Sequence, residues 1–206
     1  IVLQKANDFE AQFEFRPLEP GYGVTIGNAL RRVLLNSLEG YAIVGVKIEG
    51  VEHEFATMKG ISEDVVEIFL NLKQVRFKKT VDHEVANEKI ILSIRNKTEF
   101  TAGMIGESTH SFQIMNPDLL ICTLDSSARM DVELTIGKGR GYVPAEDNKP
   151  KDAPLGYIPI DSIFTPIKNV KYTIENTRVE QRTDFEKLIM EVSTDGTIHP
   201  EEAVKQ

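Results

Sequence analysis

The sequence predicts an α+β protein with two domains, one assembled from both ends of the chain and a second, β-rich one inserted between them. Three observations predict it. Each end pairs segments of alternating apolar and polar residues with a helix-patterned stretch. The centre, residues 41 to 165, is a succession of short strand-like runs between turn residues. No internal repeat or low-complexity tract imposes another division, and 206 residues suffice for two cores.

The opening stretch, "IVLQKANDFEAQFEFRPL", alternates at Phe9, Ala11, Phe13 and Phe15, which is strand spacing. "EPGYG" breaks the pattern. A helix follows through "GNALRRVLLNS", Gly27 to Ser37, with Gly40 as its expected terminator. "IVGVKIEG" sets Val44, Val46 and Ile48 against Gly45, Lys47 and Glu49 and predicts a half-buried strand. The second helix is "ISEDVVEIFLNLKQ". Ser62 is its expected N-cap, and Glu63 and Asp64 sit at the positive end of its dipole. Val65, Ile68, Phe69 and Leu72 form one stripe; Val66 and Leu70 widen it, which predicts contacts on two sides.

From Val75 to about Leu134 the runs "VRFKK", "KIILSIR", "SFQIM" and "MDVELTI" read as short strands. "GKGRGYVPAEDNKPKDAPLGYIP" reads as a long loop region. "NVKYTIE" and "DFEKLIMEV" are strands with Val170, Tyr172 and Ile174, and Leu188, Met190 and Val192, on single faces. "STDGTI" is a turn. "HPEEAVKQ" opens a helix with Pro200 at its first position and two acids behind it. The chain starts at Ile1 and ends inside that helix, so the expectation is a protein that continues beyond both ends.

Composition narrows the function. A net charge of −8 repels phosphate backbones, so general nucleic-acid binding by this chain is not expected. The single cysteine, Cys122, lies in the apolar run "DLLICTL" and reads as a packed thiol, which points to a reducing compartment, the cytoplasm. No signal peptide and no run of 18 apolar residues is visible, so no membrane span is expected.

A catalytic constellation is not apparent. His53, His83, His110 and His199 lack metal-ligand spacing, and "HEFAT" lacks the second histidine of a zinc-protease motif. No metal, cofactor or catalytic residue is expected. "GKGRGY" fails both the Walker and the dinucleotide spacings. It reads either as a tight basic turn or as a contact loop, where Lys138 and Arg140 supply donors and glycines admit a partner's backbone. A small enzyme using this loop to hold a nucleotide phosphate is the alternative function from another class.

The first helix carries more. At about 100° per residue, Tyr22, Ile26, Ala29, Leu30, Val33 and Ser37 gather in one sector, the expected buried face. Asn28, Arg31, Arg32 and Leu35 fall opposite. That group is either solvated, with Leu35 packed on a neighbouring loop, or a protein contact, a role for which arginine is enriched. Gly23 and Gly27, four apart, suggest that another backbone packs close, unless Gly23 precedes the helix.

Four long stretches, "LEPGYGVTIGNALRRVLLNSLEG", "GVEHEFATMKGISEDVVEIFLNLK", "GRGYVPAEDN" and "TRVEQRTDFEKLIMEVSTDGTIHPEEA", closely resemble the N-terminal domain of the bacterial RNA polymerase alpha subunit. The resemblance runs in order across the whole chain. It implies a non-catalytic assembly subunit of DNA-directed RNA polymerase, a nucleotidyltransferase complex that carries out DNA-templated transcription. It also implies a discontinuous dimerisation domain, residues 1–40 and 166–206, with an antiparallel sheet and helices, and an inserted domain, residues 41–165. Tyr22, Ile26 and Val33 would face the chain's own sheet and a second alpha copy, giving a homodimer. Arg32 and Leu35, with Arg31 beside them, match positions that bind the beta subunit. "GRGYVP", with Lys138, Arg140 and Tyr142, and the second helix would meet the beta or beta-prime subunit. The family's C-terminal DNA-binding domain has no counterpart in these residues, so no direct DNA contact is expected.

Overall fold

The structure is a computed structural model that describes residues 1–85 and 87–206. In chain order the elements are β1 (Val2–Ala6), β2 (Glu10–Leu18), α1 (Tyr22–Asn36), β3 (Glu39–Ile48), α2 (Val65–Leu72), β4 (Phe77–Lys79), β5 (Glu88–Arg95), β6 (Glu99–Thr101), α3 (Ala102–Glu107), β7 (Phe112–Ile114) and β8 (Leu120–Thr123). There follow β9 (Arg129–Arg140), β10 (Tyr142–Val143), a 3-10 turn (Ala145–Asn148), β11 (Ile158–Pro159), β12 (Ser162–Ile163), β13 (Ile167–Val179), β14 (Arg182–Thr194) and α4 (Pro200–Lys205). The fold is α+β. Two compact units divide the chain: residues 1–39 with 165–206, and residues 40–164.

The terminal unit is built on the sheet β1-β2-β14-β13, whose neighbouring strands are all antiparallel. The N-terminal stretch forms two strands rather than the single strand expected, because Asn7 makes a turn. Its Oδ1 accepts from the N–H groups of Phe9 (2.9 Å) and Glu10 (2.7 Å). Phe9 falls in that turn and is exposed.

Register then decides the faces. Phe13 lies opposite Met190, which lies opposite Tyr172; Phe15, Leu188 and Ile174 form the next row. These rows make one apolar face. The other face carries a chain of ion pairs: Lys187 reaches both Glu175 (3.3 Å) and Glu14 (3.6 Å), and Glu14 also meets Arg16 (3.4 Å). Helix α1 packs on β13 and β14, and α4 on β1, β2 and β14. The readings of β13, β14 and α4 hold, including Pro200 at the start of α4.

The inserted unit holds a sheet ordered β5-β9-β3-β4-β7, with β11 added to β3. Strand β3 buries both Ala42 and Ile43, so its first half is covered on two faces rather than one. Gly40 does not terminate α1. It lies inside β3, and a Cβ there would collide with the carbonyl oxygen of Phe164.

Helix α2 starts later than expected, and its N-cap is Asp64, not Ser62. The reason is tertiary. Ile61 bridges Leu124, the Ser62 N–H donates to the Thr123 oxygen (3.0 Å), and the Glu63 carboxylate accepts from Thr123 N (2.7 Å) and Oγ1 (3.0 Å). With those residues tied to β8, Asp64 is the first that is free to accept from Glu67 N, at 2.8 Å. Cys122 is fully buried as expected; burial and the Glu63 charge push its thiol pKa up to about 12.

Gly137 to Arg140 are strand, not turn: they form the end of β9, and the chain turns only at Gly141, where φ is +60°. A Cβ at Gly137 would sit 2.6 Å from Val44 Cγ1, and one at Gly139 would sit 2.6 Å from the Phe164 ring. These glycines serve packing within the unit and leave no loop to cradle a phosphate or a partner's backbone.

Candidate interaction surface

Helix α1 docks on its sheet through Gly23, Gly27 and Leu34, which are its buried residues. The Gly23 and Gly27 pair does mark a close approach, but to side chains of the chain's own sheet. A Cβ at Gly27 would lie 2.8 Å from the Tyr172 ring, and one at Gly23 would lie 2.5 Å from Glu186 Oε2 and 3.1 Å from Ile174 Cγ2. The contact is therefore centred about 80° away from Ile26. Counting only apolar side chains misplaces it, because glycine has no side chain to count.

That shift reassigns the helix. Tyr22 is 57% exposed and Val33 is 51% exposed, so the core does not cover them as the expected buried face required. Ala29 and Ser37 are exposed as well. Ile26 and Leu30 are half-buried at the edge of the contact. Leu35, expected outside, is half-buried and packs on the core of its own unit. Both arginines are exposed, but their partners differ. Arg31 is held against the sheet, its Nε donating to the Val170 carbonyl at 3.2 Å. Arg32 is exposed about 160° from the docked side. The result is a helix with one glycine-lined docked side, an uncovered apolar flank at Tyr22 and Val33, and a cationic crest at Arg32.

The inserted unit presents a second surface beside α2. Val66 and Leu70 are exposed, so the wide apolar arc of α2 meets protein on one side only. With Glu54, Phe69, Lys73, Pro159, Ile160 and Asp161 they line a shallow cavity of about 200 Å³. At its rim Lys73 Nζ stands 5.4 Å from the centre of the exposed Tyr142 ring and 3.7 Å from Asp161. Asp161 also accepts from Ala145 N at 2.8 Å, and this backbone donor, joined by the Tyr142 hydroxyl and Lys73, holds its carboxyl below the usual carboxylate range. Lys138 pairs with Glu84 at 3.0 Å, and Arg140 shares the end of β9. Among the described residues, no group of three or more His, Cys, Asp or Glu could hold a metal ion. Among the described residues, too, no helix is long and apolar enough to cross a membrane.

Sequence reasoning missed Glu186 and Tyr172. Both belong to strands it found, and both meet α1: Tyr172 Oη donates to Asn28 Oδ1 at 2.6 Å, and Glu186 accepts from Gly21 N and Gly23 N. A carboxylate continuing the stripe of Leu188, Met190 and Val192 was the available signal.

Residues 46–165 match the family described as RNA polymerase Rpb3/RpoA insert domain. Over 205 residues the chain is 64% identical to the DNA-directed RNA polymerase subunit alpha of Cytophaga hutchinsonii, an alignment that covers 100% of this chain and 62% of that protein. Identity to the subunits of the same name is 56% in Bacteroides thetaiotaomicron and 55% in Porphyromonas gingivalis, with the same two coverages. The chain thus spans 62% of the length of these relatives.

Proposed function

We propose, given that this chain belongs to the RNA polymerase Rpb3/RpoA insert-domain family and within it to the bacterial alpha subunits, that it is a non-catalytic scaffold of DNA-directed RNA polymerase. It pairs with a second alpha copy through the uncovered flank of α1, Tyr22, Ile26 and Val33. The pair then captures the beta subunit through Arg32, with Leu35 and Arg31 shaping the ground beside it. The surface around α2, Tyr142, Lys138 and Arg140 meets a large subunit. The work is done in the cytoplasm and involves no direct DNA contact by this chain.

The observation that carries this reading is the division of α1 into a docked side, an apolar flank and a cationic crest. A solvated helix needs only the first. An apolar flank standing next to a core invites a self-complementary partner, and an arginine clear of its own sheet can fork onto a partner carboxylate. The test is co-purification of the beta subunit with the intact alpha protein. Arg32→Ala is expected to leave fold and dimer unchanged and to abolish beta capture. Undiminished capture by the variant contradicts the assignment of Arg32.

A further inference from the structure

Helix α1 begins without a cap of its own. Its N-cap is Gly21, at φ +89°, which offers no side chain, and its first turn contains no acidic residue. Of its first N–H groups, that of Tyr22 has a local acceptor, the Glu19 carbonyl at 3.0 Å. Those of Gly21 and Gly23 are met from across the sheet. Glu186 Oε1 accepts from Gly21 N at 2.9 Å and Oε2 accepts from Gly23 N at 2.8 Å, although Glu186 lies 165 and 163 residues further along the chain. One carboxylate thus takes both donors and sets a negative charge at the positive end of the helix dipole.

The local sequence is fitted to this. Glu186 shares a face of β14 with Leu188 and Met190, so the strand's apolar stripe ends in an acid under the start of the helix. Gly23 supplies the room: a Cβ there would come within 2.5 Å of Glu186 Oε2 and displace it. Further along, Tyr172 Oη holds Asn28 and Arg31 holds the Val170 carbonyl. Of the three tethers, only the one from Glu186 secures the first turn, from which Tyr22 projects.

We propose that Glu186 is a positioning residue for assembly: it fixes the height and rotation at which α1 presents its apolar flank and Arg32. This rests on the reading of α1 as the contact helix. The test compares Glu186→Ala and Glu186→Gln with Arg32→Ala in the intact alpha protein. One readout is amide hydrogen exchange along α1, and the other is capture of purified beta subunit. In Glu186→Ala, exchange at Gly23 and Val24 is expected to rise about tenfold or more, with Leu34 unchanged and beta capture several-fold weaker. Glu186→Gln keeps an acceptor oxygen without the charge and is expected to fall between, which also covers an alanine variant that fails to fold. Unchanged exchange in the first turn overturns the proposal, as does faster exchange with undiminished capture while Arg32→Ala loses it. If Arg32→Ala captures beta normally, the contact reading of α1 fails, and the exchange readout still judges Glu186 by itself.

Discussion

The two units of this chain close their cores to different degrees. Among the described residues the inserted unit gathers 28 buried apolar residues, with 8 partly buried ones packed against them; the terminal unit gathers 10, with 9 at their edge. Nearly half of the terminal cluster is thus fringe, and a third of that fringe lies on α1, where Ile26, Leu30 and Leu35 are half-covered; Tyr22 and Val33 stand outside the cluster. The inserted unit closes the larger core, although Val66 and Leu70 stay exposed on α2. The terminal unit closes a smaller one and leaves Tyr22, Val24 and Val33 exposed along α1. In the function proposed above, the larger core keeps the protein folded and the uncovered flank of α1 is given over to assembly.

The largest expected effect tests the closed core. Phe100 is fully buried, and Phe100→Ala should cost roughly 3–5 kcal/mol in urea unfolding. At protein concentrations low enough to keep the chain monomeric, the exposed Val33 truncated to alanine should stay within about 0.5 kcal/mol. Equal costs would erase the distinction between the units. A smaller effect sharpens it: Asp64→Ala removes the cap of α2 and should cost about 1 kcal/mol, measurable by the same unfolding.

The last effect shows only at alkaline pH. The Cys122 pKa is raised from 9.0 to about 12, so the folded state favours the neutral thiol. The unfolded chain ionises first, at its lower pKa. The stability this site contributes is therefore complete below pH 9 and is lost as pH rises from 9 toward 12. Cys122→Ala should remove that part of the alkaline loss, and the folded protein should resist thiol reagents at pH 8. Rapid labelling of the folded protein would contradict the burial of Cys122.

Periodicity carried the sequence reading where side chains report their own burial. The stripe of Leu188, Met190 and Val192 and the stripe of Ile68, Phe69 and Leu72 were legible for that reason. It failed where tertiary partners decide. Ser62 lost the cap because its neighbours pair with β8, Gly137 and Gly139 are straight strand because Val44 and Phe164 occupy their Cβ space, and the docked side of α1 is lined by glycines. The wheel sets Arg32 on the outer side, where it is exposed, and Leu35 beside it, where the chain half-buries it. Glu186 shows in the sequence only as an acid extending the stripe of Leu188, Met190 and Val192; its partners lie more than 160 residues away.

The most direct test of the uncompleted core is the solution mass of the protein with and without Val33→Asp. Val33 touches solvent within one chain, so the substitution spares the fold, which circular dichroism can verify. The prediction is twice the 23.1 kDa chain mass for the parent and the single-chain mass for the variant. A folded variant that remains a dimer, or a parent that is monomeric at micromolar concentration, would contradict the account.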